Sequence, residues 1–222
     1  MRQTIASPLF LKWVLAHTFS VALVSAINFS IAYESSLGYD ELLLLLPGII
    51  SGLCIGGAEV WLLRFLRRKE AICWVFSMAI VVPLGILIGG ILSFILFPFA
   101  TSISPALDLF TSSGGLGFGI GAIVGVTQWF FLRKVFRHAW MWIVAVTVGR
   151  IIGWSIGMTL GLPLYDGDLA SLILAMGIGG AMGGTLYGLI TGLCLEWFVA
   201  NCQRENNKIL EHQEMRSDTI RS

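Results

Sequence analysis

The chain alternates long apolar runs with short polar breaks. The runs are Trp13–Tyr33, Leu42–Phe65, Ile72–Phe97, Leu116–Leu132, Ala139–Leu162 and Leu169–Ala200. The hydrocarbon core of a bilayer takes about 20 apolar residues as helix, so each run predicts a transmembrane helix. The fourth borrows the glycine-rich stretch from Ser113, and the sixth is long enough to tilt or to begin outside the hydrocarbon. Pro83 predicts a kink in the third span, tolerated where neighbouring helices satisfy the freed carbonyl. The 3–4 connection, Pro98–Ser113, is the longest on its side, and its mildly amphipathic stretch around Leu107–Phe110 suits a membrane surface. Beyond Asn201 the chain turns polar. This predicts one transmembrane domain over residues 1–200 and a polar tail over 201–222, which begins as a continuation of span six and then frays.

Charge sorts to one side of these spans. Arg2 and Lys12 precede the first; Arg64, Arg67, Arg68 and Lys69 join the second and third. Arg133, Lys134 and Arg137 join the fourth and fifth, and Arg204, Lys208, Arg216 and Arg221 follow the sixth. All but Arg150 of the 14 Lys and Arg residues thus share one side, while Glu34, Asp40, Glu41, Asp108, Asp166 and Asp168 occupy the other. The positive-inside rule predicts that the basic side, with both termini, lies in the cytoplasm. Met1–Lys12 and the following apolar run superficially look like a signal peptide. That run is long enough to span and belongs to the repeat described below, so it is expected to stay as a membrane helix.

Composition agrees. The chain is 56% hydrophobic and 12% charged, against roughly 25% charged in soluble domains. A net charge of +1 and the absence of a dense basic face argue against a nucleic-acid partner. Cys54, Cys73, Cys194 and Cys202 form no C-x-x-C pair and read as small apolar core residues. Trp13, Trp74, Trp140 and Trp142 near the starts of odd spans, with Trp61, Trp129 and Trp197 near the ends of even ones, read as an indole belt at one headgroup interface.

A two-helix unit recurs three times. Odd helices align on Trp13-Val-Leu-Ala, Trp74-Val-Phe-Ser and Trp142-Ile-Val-Ala. Even helices align on Gly56-Gly-Ala-Glu59-Val-Trp-Leu-Leu-Arg64 and Gly125-Val-Thr-Gln128-Trp-Phe-Phe-Leu-Arg133. The third copy matches either through Glu196-Trp-Phe or through Gly188-Leu-Ile-Thr191, registers about one helical turn apart. Each hairpin starts and ends on the basic side. The expected fold is therefore an all-α membrane protein of six transmembrane helices, three parallel helical-hairpin repeats in a pseudo-threefold bundle. Gly48, Gly52 and Gly56, then Gly117, Gly121 and Gly125, then Gly180, Gly184, Gly188 and Gly192 recur every four residues and form side-chain-free stripes. Such stripes permit close helix approach in lipid and are expected to draw the even helices together at the centre.

The pattern G-x-x-x-G-x-x-Q-W-x-x-L-R, carried best by Gly121, Gly125, Gln128, Trp129, Leu132 and Arg133, resembles a group of uncharacterised multi-span membrane proteins common in cyanobacteria and some other bacteria. The resemblance spans Leu42 to Gly161. It departs at Glu59, where the pattern has Gln, and in the last copy, which lacks the Arg. It implies no activity.

Arg150 stands about 16 Å into its helix, where a charge costs at least about 2.5–3.5 kcal/mol. It is expected to face the interior and meet Glu59 or Glu196 by reaching toward the basic side. Arg150, Glu59, Gln128 and Glu196 thus form a candidate polar cluster, either an ion, proton or anionic-ligand site or an ion pair that fixes helix register. His17 lacks a second ligand at metal or haem spacing, so neither a metal nor any other cofactor is expected. Asn28 and Ser30, with Ser102, Ser104 and Thr111, are polar positions near the acidic side. No Ser/His/Asp set, paired aspartates, H-E-x-x-H helix or phosphate-binding loop occurs, and the chain is not expected to be an enzyme. The expected function is a compact scaffold or accessory subunit of a membrane assembly. Its partners are the lipid bilayer and, at the basic loops, anionic lipids or a protein. The alternative is a small-solute or ion transporter working at Arg150. A water-accessible cavity reaching Arg150 favours transport, and a dry, glycine-packed centre favours the scaffold.

Overall fold

A computed structural model of the chain describes residues 7–35, 45–63, 67–101 and 105–221. Their regular structure is helical throughout: α1 Pro8–Ser35, α2 Leu45–Leu62, α3 Arg68–Thr101, α4 Pro105–Leu132, α5 Trp140–Gly161 and α6 Leu169–Arg221, with a 3-10 turn at Leu162–Leu164 after α5. Local chemistry sets several of the starts. Pro8 takes the first position of α1, where its missing N–H costs nothing, and the Ser7 hydroxyl accepts from the Phe10 N–H. Glu70 in the first turn of α3 accepts from the Arg67 N–H and complements the positive end of that helix. Before α6, Gly167 adopts φ +93°, a conformation that favours glycine. Asp168 then caps the helix by accepting from the Ser171 N–H at 2.6 Å. That bond, with those from the Ser171 hydroxyl and the Ala170 N–H, holds the Asp168 carboxyl below its ordinary pKa.

Five helices are long and apolar enough to cross a membrane, over Pro8–Ile31, Arg68–Ile95, Ser113–Leu132, Trp140–Leu164 and Leu169–Arg204. The described part of α2 is shorter, and the flanks of its expected span, Leu42–Leu44 and Arg64–Phe65, fall outside the described residues. Two expectations about connections need correction. The segment Pro98–Ser113 is not an extended loop, because α3 runs through Thr101 and α4 begins at Pro105; Leu107–Phe110 simply opens α4. The tail begins, as expected, as a continuation of the sixth helix, but it does not fray: α6 continues unbroken to Arg221.

Polarity is inverted relative to a soluble protein. Leu11, Leu15, Phe19 and Leu23, four residues apart on α1, stand exposed, while Glu59 and Gln128 are fully buried. Only a solvent that rejects polar groups rewards this arrangement. Cys54 and Cys73 also lie on the outward surface and are not core residues as expected.

The helices close into a ring. Each packs on its neighbours in chain order, and α6 returns to α1; among the described residues no two even helices pack backbone against backbone, and α2 and α4 meet only through side chains. This corrects the expectation that glycine stripes draw the even helices together. Instead each stripe faces the next odd helix around the ring. A Cβ at Gly52 of α2 would strike the Met78 carbonyl of α3, and one at Gly121 of α4 would lie 2.8 Å from Thr147 Cα of α5. One at Gly184 of α6 would lie 2.5 Å from the His17 carbonyl oxygen of α1. The other faces of α4 and α6 carry further glycine seams: Gly119 meets Gly89 of α3, and Gly179 and Gly183 meet Gly157 and Gly153 of α5. A glycine stripe fixes which face is close-packed, not which helix it packs against. Helix α1 has no glycine, and α1 and α2 make the least extensive contact between consecutive helices.

These seams predict opposite outcomes for chemically identical substitutions. At Gly153 and Gly183 a Cβ would sit 2.5 Å from a carbonyl oxygen of the facing helix, so Gly153→Ala or Gly183→Ala costs about 1–3 kcal/mol through overpacking. At Gly90 and Gly177 nothing lies within 4 Å, so Ala there is neutral or stabilises by up to about 1 kcal/mol through helix propensity. Thermal unfolding of the purified variants in detergent micelles distinguishes the two classes.

Candidate functional site

Each odd helix starts from the basic side with a tryptophan that points into the ring. Trp13, Trp74 and Trp142 are fully buried, whereas Trp61, Trp140 and Trp197 stand exposed. The expected belt of seven interfacial indoles is therefore corrected: three of them form the inner core. Each donates its indole N–H to a polar side chain of the even helix before it around the ring. Trp74 donates to Glu59 Oε2 at 2.9 Å, Trp142 to Gln128 Oε1 at 2.7 Å and Trp13 to Thr191 Oγ1 at 2.9 Å. Each acceptor stands three residues after a stripe glycine: Gly56, Gly125 and Gly188. Of the two matches weighed for the last even helix, Thr191 takes part in this bonding and Glu196 does not.

The three pairs are joined at Glu59. Gln128 donates from Nε2 to Glu59 Oε2 at 2.7 Å, an amide orientation fixed because its Oε1 must accept from Trp142. His17, one helical turn after Trp13, brings Nε2 to 3.2 Å from Glu59 Oε1 and Nδ1 to 3.0 Å from the Trp13 carbonyl oxygen. A carbonyl only accepts, so Nδ1 carries a proton. The contact between Nε2 and Oε1 ties α1 to α2. Thr191 completes the set by donating to the Tyr187 carbonyl at 2.8 Å. An unbroken series of contacts thus runs from Trp142 through Gln128, Glu59, His17 and Trp13 to Thr191, with Trp74 joining at Glu59. It visits all six helices.

Arg150 lies elsewhere. It is buried about 12 Å farther along α5 than Trp142, at a rise of about 1.5 Å per residue. Its guanidinium sits 4.2 Å over the ring of Tyr187, which also lies 4.8 Å from the His17 ring, itself 4.7 Å from that of Trp13. This aromatic column supplies a cation–π contact worth about 1–2 kcal/mol when desolvated, but no ion pair. Glu196 does not join the cluster: its Oε1 accepts from the Ser7 N–H at 3.0 Å and so closes the start of α1 against α6. The four residues grouped by sequence therefore divide three ways, with only Glu59 and Gln128 bonded to each other. His17, Thr191 and the inner tryptophans complete the centre instead. Among the outer polar positions, Asn28 donates to the Ser51 hydroxyl and Ser30 to the Ala26 carbonyl. Thr111 falls within α4, while Ser102 and Ser104 lie outside the described residues. No protein-family model matches the chain, and no curated protein or solved structure is similar to it.

With both Glu59 oxygens occupied, the centre behaves as a structural joint. Glu59→Leu strands donors on His17, Trp74 and Gln128, at about 1–3 kcal/mol for each buried group left unpaired, and is expected to prevent stable folding. Glu59→Gln preserves every partner: its Nε2 donates to His17 Nε2, and its Oε1 accepts from Trp74 and Gln128. Unfolding in graded denaturant should find E59Q near the wild type and E59L severely destabilised. Equal losses would refute this assignment of donors and acceptors.

Proposed function

We propose that the chain is a non-enzymatic multi-pass protein of a bacterial plasma (inner) membrane, a compact scaffold or accessory subunit of a membrane assembly. The observation that carries this reading is the hydrogen-bonded layer that visits every helix. Its polar groups satisfy one another, which leaves little free for catalysis and locks the helices in register. The indole–acceptor pairs, repeated in cyclic order on alternate helices, support three parallel hairpins about a common axis, and with them six crossings. The one-sided Lys and Arg distribution supports cytoplasmic termini and basic loops that meet anionic lipids or a protein partner. The likeness to cyanobacterial-type multi-span proteins is consistent with this placement.

A second reading, transport of a small solute or ion, draws on one specific feature, a cavity of about 30 Å³ beside Arg150. Two experiments separate the readings. In native membranes, non-denaturing electrophoresis should find the 24.2 kDa chain within a larger assembly, and reconstituted vesicles should show no flux of chloride or nitrate. A chain that runs alone and carries a flux abolished by Arg150→Gln would replace the scaffold by the transporter. Reporters fused after Arg68 or Arg137 should be active only as cytosolic fusions.

A further inference from the structure

Four buried side-chain polar atoms among the described residues meet no hydrogen-bond partner: Asn28 Oδ1, Arg150 Nε, Trp154 Nε1 and the Tyr187 hydroxyl. They come from α1, α5 and α6, and each of the four residues lines one or both of two cavities. A cavity of about 30 Å³ is bordered by Arg150, Trp154 and Tyr187. A second, of about 20 Å³, is bordered by Arg150, Trp154 and Asn28. The two also share Val21 and Ser25, so they adjoin. Buried polar groups in native proteins are almost always paired, and four orphans on residues that line these two cavities make them suited to a polar ligand.

Charge names its class. No carboxylate of the described residues lies within ion-pair distance of Arg150. Its guanidinium meets the Tyr187 ring in place of a counter-ion, in a medium where an unpaired charge is costly. Three of the four orphans, Arg150 Nε–H, Trp154 Nε1–H and the Tyr187 O–H, donate. Apart from Ser25, the rest of the lining of the first cavity is apolar or glycine, including Val21, Phe29 and Met176. Volume sets the size. One water needs roughly 10–15 Å³ measured in this way, so the two cavities hold a small ion and about one or two waters, one of which would serve Asn28 Oδ1. A phosphate ester or a metabolite with several carbon atoms does not fit.

We infer that these adjoining cavities are a binding site for a small monovalent anion, of the size of chloride or nitrate, held by Arg150, Trp154 and Tyr187. The site is independent of whether the protein is a scaffold or a transporter: in the first case the anion is the counter-ion of Arg150, in the second it is cargo.

The test uses the purified full-length chain in detergent micelles. Sodium gluconate, whose anion is too large for the cavity, is replaced stepwise by sodium chloride or sodium nitrate at constant ionic strength, and the unfolding temperature is followed. A saturable rise is expected, because an anion that binds only the folded state stabilises it by mass action. Trp154→Phe and Tyr187→Phe each remove one donor with little change in volume, and each should raise the half-saturating concentration about tenfold. Arg150→Gln should abolish the rise. Should Arg150→Gln fail to fold, the two donor variants still decide. Identical unfolding temperatures in chloride, nitrate and gluconate would overturn the proposal and leave the cavities to water. A rise that persists unchanged in the donor variants would overturn it equally, because the ion would then bind elsewhere.

Discussion

A carboxylate at the centre of a helix ring governs this structure. Glu59 receives donors from α3 and α4 and meets His17 of α1, and lipid offers no alternative partner for any of them. In water each of these groups would find a substitute at little cost; in a bilayer an unpaired one costs several kcal/mol. The helices are therefore held together by what their polar groups lose on separation. Apolar burial cannot do this, because lipid solvates a leucine as well as another helix does. The inner tryptophans serve the same end, since each combines a large apolar body with one N–H that must be satisfied.

The glycine seams make this centre possible. The polar side chains of the layer are short relative to an ordinary interhelical spacing, and they meet only if the backbones approach closely. Stripe glycines on α2, α4 and α6 bring each even helix against the next odd one, and the acceptor three residues after Gly56, Gly125 or Gly188 then falls beside the odd helix's tryptophan. Packing and polarity thus act on the same pairs of helices. Arg150 is the exception. It stands beyond the layer, at the close approach of α4 to α5, with an aromatic face in place of a counter-ion.

Sequence reasoning reached the helices and their polarity because run length and loop charge are properties of single segments. It reached Glu59 and Gln128 because they occupy equivalent places in two copies of one pattern. Partners were harder to read. Spacing of four shows that Gly180, Gly184 and Gly188 share a face, but not that α1 covers it. Trp140 and Trp142 differ by two residues, about 200° around a helix, and only one points inward; at the headgroup level an indole suits either side. His17 seemed isolated because its partner lies on another helix, and Arg150 seemed bound to pair with a carboxylate because its side chain is long enough to reach in either direction. Helical continuity also outran composition, carrying α6 past the apolar run that ends at Ala200.

The inner indoles offer the most direct test of this arrangement. With the protein labelled at the indole nitrogens and transferred to deuterated buffer, the N–H signals of Trp13, Trp74 and Trp142 should persist long after that of Trp140, exposed at the start of α5, has vanished. Exchange of Trp74 and Trp142 as fast as that of Trp140 would mean that the hydrogen-bonded centre does not exist.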